Sequence, residues 1–510
     1  MSKQCPHCES AKVQSRGTKT NQAGSTRNRY QCMDCLKWFS TVVSEVVEPE
    51  VVVPRFSSST PKDFEGYERF VISAVQNDTS VNKQFLESLK RYCEVNKAKL
   101  ILVPITCKAN DDSQYCVDPE LLVTQDVLLS KKLRLLAHVQ ISPTIATPLA
   151  GMDEQSKGNS LIIAHPQLQM RTLATLEDSP IQLWTTGAIT YDNYAQTKTG
   201  EKAKFNHSLS ALVVEKDHNQ FYCRVLNCDD DNGFYDLDLY YSPTAVRSTG
   251  QVEALITGDE HAMFTSPEVK AATYTGEGSL TNLLRPKKIV RHDVLDFFTG
   301  SHHHQHSFLL QYAKHKTRTN IVEDELTLTL RYIAETTPSY AENIMVASNH
   351  VEHMNKWLDT IDPKTEVWNA KLYYRMMYLM LEHIDRNGID IPNAFQMWVE
   401  TTSHDFDEPK LRWLGRNEPF KIHGIELSNH GDMGINGSRG SPTQFSRLPD
   451  KMVVGHSHSP SIMKGCYTVG TSTGRLEYTK GPSSWANSHV VIYPNGKRQL
   501  VTIINGKYRL

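Results

Sequence analysis

The 510-residue chain carries 55 Lys and Arg against 57 Asp and Glu, a formal net charge of −2. No global field of either sign therefore points to a nucleic acid or a membrane, and any such argument must rest on local patches. The length exceeds one ordinary domain and allows a large core. Ten cysteines in a chain this long do not make a disulfide scaffold, and no apolar run reaches the length of a membrane span. Met1-Ser2-Lys3-Gln4-Cys5 leads directly into a Cys motif without the apolar core of a signal peptide. A soluble, cytoplasmic protein with reduced thiols and no membrane partner is expected.

Cys5-Pro6-His7-Cys8 and Cys32-Met33-Asp34-Cys35 are two Cys-x-x-Cys knuckles separated by a polar stretch, the spacing of a tetrahedral structural zinc site. Residues 1–45 are thus expected to be a zinc ribbon with one structural Zn on Cys5, Cys8, Cys32 and Cys35, and hairpins around Lys12-Val13-Gln14 and Arg29-Tyr30-Gln31. Lys12, Arg16, Lys19, Arg27 and Arg29, opposed between the knuckles only by Glu9, are candidate phosphate contacts to DNA. Tyr30, Trp38 and Phe39 are read chiefly as the small core of the module. The run Tyr30 to Ser40 is similar to zinc ribbons at the start of some transposases.

A Val-, Glu-, Pro- and then Ser-rich linker is placed at 46–63. Beyond it, Phe70–Ala74 reads as a buried strand, Val81–Asn96 as an amphipathic helix and Leu100–Ile105 as a second buried strand, the opening of an α/β layer. Further strands are expected at 161–164, 181–184 and 211–214. Residues 64–248 are read as a separate α/β domain with no glycine-rich phosphate loop and no assigned role. Cys93, Cys107, Cys116, Cys223, Cys228 and Cys466 are taken as ordinary thiols.

From residue 249 to 510 the informative residues each follow a short apolar run. Asp259 and His261 follow Ala254-Leu255-Ile256, Asp293 follows Ile289-Val290, and Asn349 and His350 follow Ile344-Met345-Val346. His430 follows Ile425-Glu426-Leu427, and His456 and His458 follow Val453-Val454. Side chains at several strand ends converge at one edge of a sheet. Glu323–Glu335 and Glu366–Arg386 read as helices, with Tyr373, Met377, Leu379, Met380 and Ile384 as a core-facing side of the second. His302-His303-His304-Gln305-His306 reads as a solvated loop, with a lesser reading in which one imidazole meets the substrate at the rim.

The order Asp-x-His, Asp-x-x-Asp, Asn-His, His, Gly-His-x-His resembles the calcineurin-like metallophosphoesterases. The resemblance implies a two-layer β-sandwich flanked by helices that holds two divalent metals, one on Asp259, His261 and His458, the other on Asn349, His430 and His456, with Asp293 bridging. It implies a catalytic His350 acting on phosphate beside them. The chain departs from the pattern where His292 stands in place of the usual Gly, and where Ser348-Asn349-His350-Val351 replaces Gly-Asn-His-Asp. Phosphodiester attack needs a strong nucleophile and neutralised phosphoryl oxygens, which a pair of divalent ions supplies. Mixed His, Asn and carboxylate donors suit Mn, Fe or Zn over Mg or Ca, with Mn expected first.

Together with the ribbon, the resemblance extends to the SbcD-like DNA nuclease branch and most of all to the early, host-DNA-degrading proteins of Tequintavirus-type siphophages. It implies a manganese-dependent DNase with DNA as partner, in the host cytoplasm if phage-encoded, and leaves a homo-oligomer open. The alternatives are a metallophosphatase or phosphodiesterase on another substrate, or a DNA-binding regulatory protein whose enzyme domain is a relic.

Overall fold

The computed structural model describes residues 4–20, 26–42, 64–106, 115–402, 411–474, 476 and 480–510. The expected linker 46–63 and Cys107 lie outside the described residues. The chain divides into two compact units, Met1–Ser58 and Ser59–Leu510. The first is an antiparallel sheet of Val13–Thr20, Thr26–Cys32 and Trp38–Val42 in that order. Tyr30 and Phe39 face each other in register and stack at 5.6 Å.

In the second unit, Arg69–Gln76 runs parallel to Lys99–Ile105 through the helix Lys83–Asn96. The helix starts where the Asn82 side chain accepts from the amide of Phe85 and stops at Lys97 in the left-handed region. Arg69–Gln76 is buried beyond its first residue because both its faces are covered. Ile72 and Ala74 face one core, while Val71 and Val75 pack with Phe85 and Leu89 of the helix. Ser210–Asp217 and Gln220–Asn227 complete this four-stranded sheet.

The expected boundary at 249 does not separate two bodies. A ten-stranded sheet takes Val127–Ser130, Leu133–Leu135, Ser160–Ile163, Gln169–Leu173 and Ile181–Thr185 from before it, and Lys421–Ile422, Ile425–Glu426, Lys451–Val454, Ser461–Met463 and Cys466–Thr468 from after it. The halves join where Gln169–Leu173 pairs antiparallel with Ser461–Met463. Local periodicity marks a strand without naming its partner, so this join is not visible in the sequence.

The remaining large sheet sets the candidate site. Ala254–Ile256, Lys288–Arg291, Glu342–Met345 and Leu411–Trp413 run parallel side by side, and Asn487–Ile492 with Arg498–Ile503 extend it antiparallel. The parallel strands all end at the same edge. Val322–Glu335 buries Val322, Leu326, Leu330 and Ile333, and Ala370–Asn387 buries Leu372, Met376 and Met380, each at helical spacing. One apolar core takes Trp184, Val453 and Ile462 from the ten-stranded sheet and Ile256, Val290, Ile344 and Val490 from the six-stranded one. The α/β class read from the sequence is the class observed. No helix among the described residues is long and apolar enough to cross a membrane.

Candidate metal centre

The strand ends of both large sheets meet at one buried cluster. Asp259 and His261 leave Ala254–Ile256, Asp293 leaves Lys288–Arg291, Asn349 and His350 leave Glu342–Met345, and His456 and His458 leave Lys451–Val454. Asp259, His261, Asp293, His430 and His458 are buried, while Asn349, His350 and His456 are half-buried. His261, Asp293, His456 and His458 all hold left-handed backbone, at φ of 42°, 43°, 69° and 56°. Each such non-glycine residue costs on the order of 1–3 kcal/mol and persists only where its surroundings impose it. Part of that imposition is on the backbone, since the His261 amide donates to the Asp293 carbonyl at 2.7 Å and the Gly455 amide to that of His430 at 2.6 Å.

Ring nitrogens of His261 and His458 and a carboxylate oxygen of Asp259 lie within 4.8 Å of one another. Two further triples at that spacing are Asp259, His292 and His430, and His261, Asp293 and His350. His458 Nε2 is 3.0 Å from Asp259 Oδ2, and His430 Nε2 is 2.9 Å from Asp293 Oδ2. Proximity has not become hydrogen bonding. Both carboxylate oxygens of Asp259, Oδ1 of Asp293 and Oδ1 of Asn349 are buried with no donor among the described residues. Acceptors left bare at such depth cost several kcal/mol unless a cation meets them. The His430 ring also lies 5.3 Å from that of His456. The structure thus brings together Asp259, His261, Asp293, His350, His430, His456 and His458, with Asn349 at the end of the neighbouring strand, and the donor set fits divalent cations.

The electrostatics agree with that fit. Burial alone would push the Asp293 carboxyl up, but the neighbouring imidazoles, His430 foremost, hold it well below the usual carboxylate range. Asp259 is likewise lowered against its burial by His430 and His458. His430, opposed by burial, is raised to about 9 by Asp293 and Asp259.

Three features had no role in the sequence reading. His292, noted only as a departure from the usual Gly, is fully buried with Nδ1 3.3 Å from His430 Nδ1, and burial pushes it down to about 4. Asp296 sits behind two imidazoles, its carbonyl accepting from His350 Nδ1 at 2.7 Å and its Oδ2 2.9 Å from His261 Nδ1. Arg416 grips Glu352 with two nitrogens, at 2.6 and 3.0 Å, and Asp432 with a third at 2.7 Å. That clamp ties the loop after His350 to the loop after His430. The Asp-x-x-Asp motif contained Asp296 without giving it a role, and nothing marked Arg416.

No protein-family profile matches the chain. It is 32% identical over 464 residues to Protein A1 of Escherichia phage T5, an alignment covering 86% of this chain and 82% of the phage protein. The chain belongs to the Protein A1 family. Vps29 of Chaetomium thermophilum, a solved structure, aligns over 32% of this chain and 92% of its own at 13% identity, with a TM-score of 0.17 that carries no argument about fold.

This member of the Protein A1 family also carries a four-thiol cluster in its first unit. Cys5 Sγ lies 3.7 Å from Cys35 Sγ, and Cys8 Sγ 3.5 Å from Cys32 Sγ. Sulfurs on one tetrahedral zinc at ~2.3 Å stand ~3.8 Å apart, so the four fit a single ion with little movement. The amides of His7 and Cys35 donate to the thiols of Cys5 and Cys32. The basic residues are less free than the sequence indicated. Lys12 pairs with Asp34 at 3.6 Å, Arg16 donates to Gln31, and Arg29 lies over the Trp38 ring at 4.8 Å. Trp38 is itself exposed, so the small core is Tyr30 and Phe39 without it. The side chains of Lys19 and Arg27 lie outside the described residues.

Proposed function

We propose that this chain is a hydrolase that cleaves the phosphodiester bonds of DNA with two divalent cations, Mn²⁺ foremost, and that it degrades host DNA early in phage infection. The observation that carries the reading is the set of buried acceptor oxygens on Asp259, Asp293 and Asn349 that no donor among the described residues meets, those of Asp259 and Asp293 lying among imidazoles from both sheets. Asp259, His261 and His458 would hold one cation, Asn349, His430 and His456 the other, and Asp293 both. Bound there, the pair would neutralise charge on the phosphoryl oxygens and lower the pKa of water. The kinship with a phage protein supports the setting in infection.

His350 has a separate task. Its Nδ1–H is committed to the Asp296 carbonyl, which fixes the ring and leaves Nε2 as the nitrogen to meet phosphate. It is more exposed than the imidazoles behind it, at 23% of its side chain. An imidazole so placed can stabilise developing charge or protonate the leaving oxygen. Arg29 stacked on Trp38 in the four-thiol unit offers a cation and an exposed aromatic face to a nucleic acid strand. The test is incubation of purified full-length protein with circular and linear DNA in Mn²⁺, Mg²⁺ or chelator, beside Asp293→Asn. Metal-dependent cleavage lost in the variant supports the reading, and DNA left intact under all conditions overturns it. Cutting of the circle would identify an endonuclease.

A further inference from the structure

The run from His302 to His306 is left over once the candidate centre is assigned. His302–His304 form one tight helical turn, and the carbonyl of His304 is held by Gln311 Nε2 at 3.0 Å. The turn folds against the first residue of the helix His353–Thr360. There His302, His303 and His353 each offer a ring nitrogen within 4.8 Å of the other two. Ring centroids are 3.9 Å apart for His302 and His303, 5.0 Å for His302 and His353, and 5.9 Å for His303 and His353. His353 is 6% exposed, and its Nδ1 is buried with no partner among the described residues; the same holds for Nδ1 of His302. Ring packing explains the contacts between these imidazoles, but not why their polar atoms are left unmet.

We propose that His302, His303 and His353 form a third cation site, distinct from the Asp259–Asp293 centre, that takes one borderline-soft divalent ion of the zinc type and leaves one coordination position open. Three imidazoles are the donor set of open zinc sites, and hard cations such as Mg²⁺ or Ca²⁺ choose oxygen instead. Nitrogens on one tetrahedral ion at ~2.0–2.1 Å stand ~3.3 Å apart, so modest ring rotations close the observed spacing. An anion is the poorer occupant. Nδ1 of His302 and of His353 are buried with no partner among the described residues, an environment that favours the uncharged imidazole. Uncharged rings present lone pairs. The ammonium of Lys356 also acts on both rings and works against any cation there, so the imidazole–metal bonds must outweigh that repulsion. His350 stands between the two sites, its ring 4.7 Å from His353 and 4.8 Å from His261.

The proposal stands apart from the nuclease reading, and its test is metal content. Full-length protein is equilibrated with Zn²⁺, desalted, and its zinc per chain counted for the wild type, for His302→Ala/His303→Ala and for Asp293→Asn/His458→Ala. The first pair lies on the surface turn, so circular dichroism should match the wild type; His353→Gln serves as a second probe. Removing His302 and His303 should cost one zinc per chain, and the nitrogen hyperfine pattern of an added Cu²⁺ ion should change with it. The Asp293→Asn/His458→Ala variant should keep the zinc that the turn variant loses. Equal zinc in wild type and turn variant overturns the proposal, and loss of several ions from the turn variant overturns the separateness of the site.

Discussion

Gly455 is the most exacting position at the candidate centre, because a single methyl group there collides with a proposed ligand. A Cβ built on it would lie 2.3 Å from Asp259 Oδ1, 3.1 Å from His292 Cγ and 3.3 Å from His292 Cβ. An ordinary carbon–oxygen approach needs roughly 1 Å more than the first of these distances. The carboxylate cannot retreat cheaply. Asp259 is fully buried, its amide donates to Gly470 at 3.0 Å and its carbonyl accepts from Ser472 at 2.8 Å. Gly455→Ala should therefore displace Asp259 or the His456 turn by roughly 1 Å, at a cost of about 1–3 kcal/mol in folding stability. Disturbing the supports of a metal ligand typically lowers affinity about 10–100-fold. Calorimetric titration of Mn²⁺ into metal-stripped protein reads the affinity, and thermal melts in chelator read the stability. Gly278→Ala, whose Cβ meets nothing within 4 Å, is the control. Wild-type affinity and melting temperature in Gly455→Ala would refute the crowding argument and the role given to Asp259.

Asp293→Asn should abolish hydrolysis while circular dichroism stays unchanged, because the shared carboxylate loses its charge but not its shape; full activity in the folded variant would sink the site. His350→Ala should keep its metal content while turnover falls about 10²–10⁴-fold, and a parallel fall in metal content would make His350 a ligand. Asp236, buried and bound by Arg224, Tyr92 and Gln499, is held below the usual range against its burial chiefly by the Arg224 charge. Its stabilisation should be present above about pH 4 and lost as pH falls through the lowered value. Asp236→Ala should cost about 3–5 kcal/mol at neutral pH and flatten that acid limb, read by denaturant melts across a pH series. Deleting residues 1–45 should spare the metal centre and lower the salt slope of DNA binding by roughly 0.7–0.9 for each phosphate that the ribbon neutralises; identical slopes would leave the ribbon without a role in binding.

The residues of the candidate centre were legible because each follows a short apolar strand, and parallel strands deliver their ends to one edge. Asp259, Asp293 and Asn349 could be nominated without knowing which sheet they leave. The four thiols were legible for a different reason, since a knuckle is a local motif. What stayed hidden depends on long-range pairing or on backbone turns. The union of Gln169–Leu173 with Ser461–Met463 has no local signature, so a boundary at 249 looked natural. Asp296 meets His261 and His350 only because the chain turns through left-handed backbone at Asp293 and Phe297. Lys12 and Arg16 looked free because their partners, Asp34 and Gln31, lie far along the chain from them.

The ten-stranded sheet bears on how the protein is made. Gln169–Leu173 waits for Ser461–Met463, and Ala254–Ile256 waits for Asn487–Ile492. Until a ribosome has passed residue 492, the nascent chain holds strand edges whose partners do not yet exist, and edges of that kind recruit other chains. Closing such long loops is slow, so folding of this unit belongs to the period after most of it has been synthesised. The amide partner of Asp259, Gly470, is likewise supplied from late in the chain. A prematurely terminated product would then lack residues of the candidate centre together with the partners of its open strands, which makes it a candidate for aggregation.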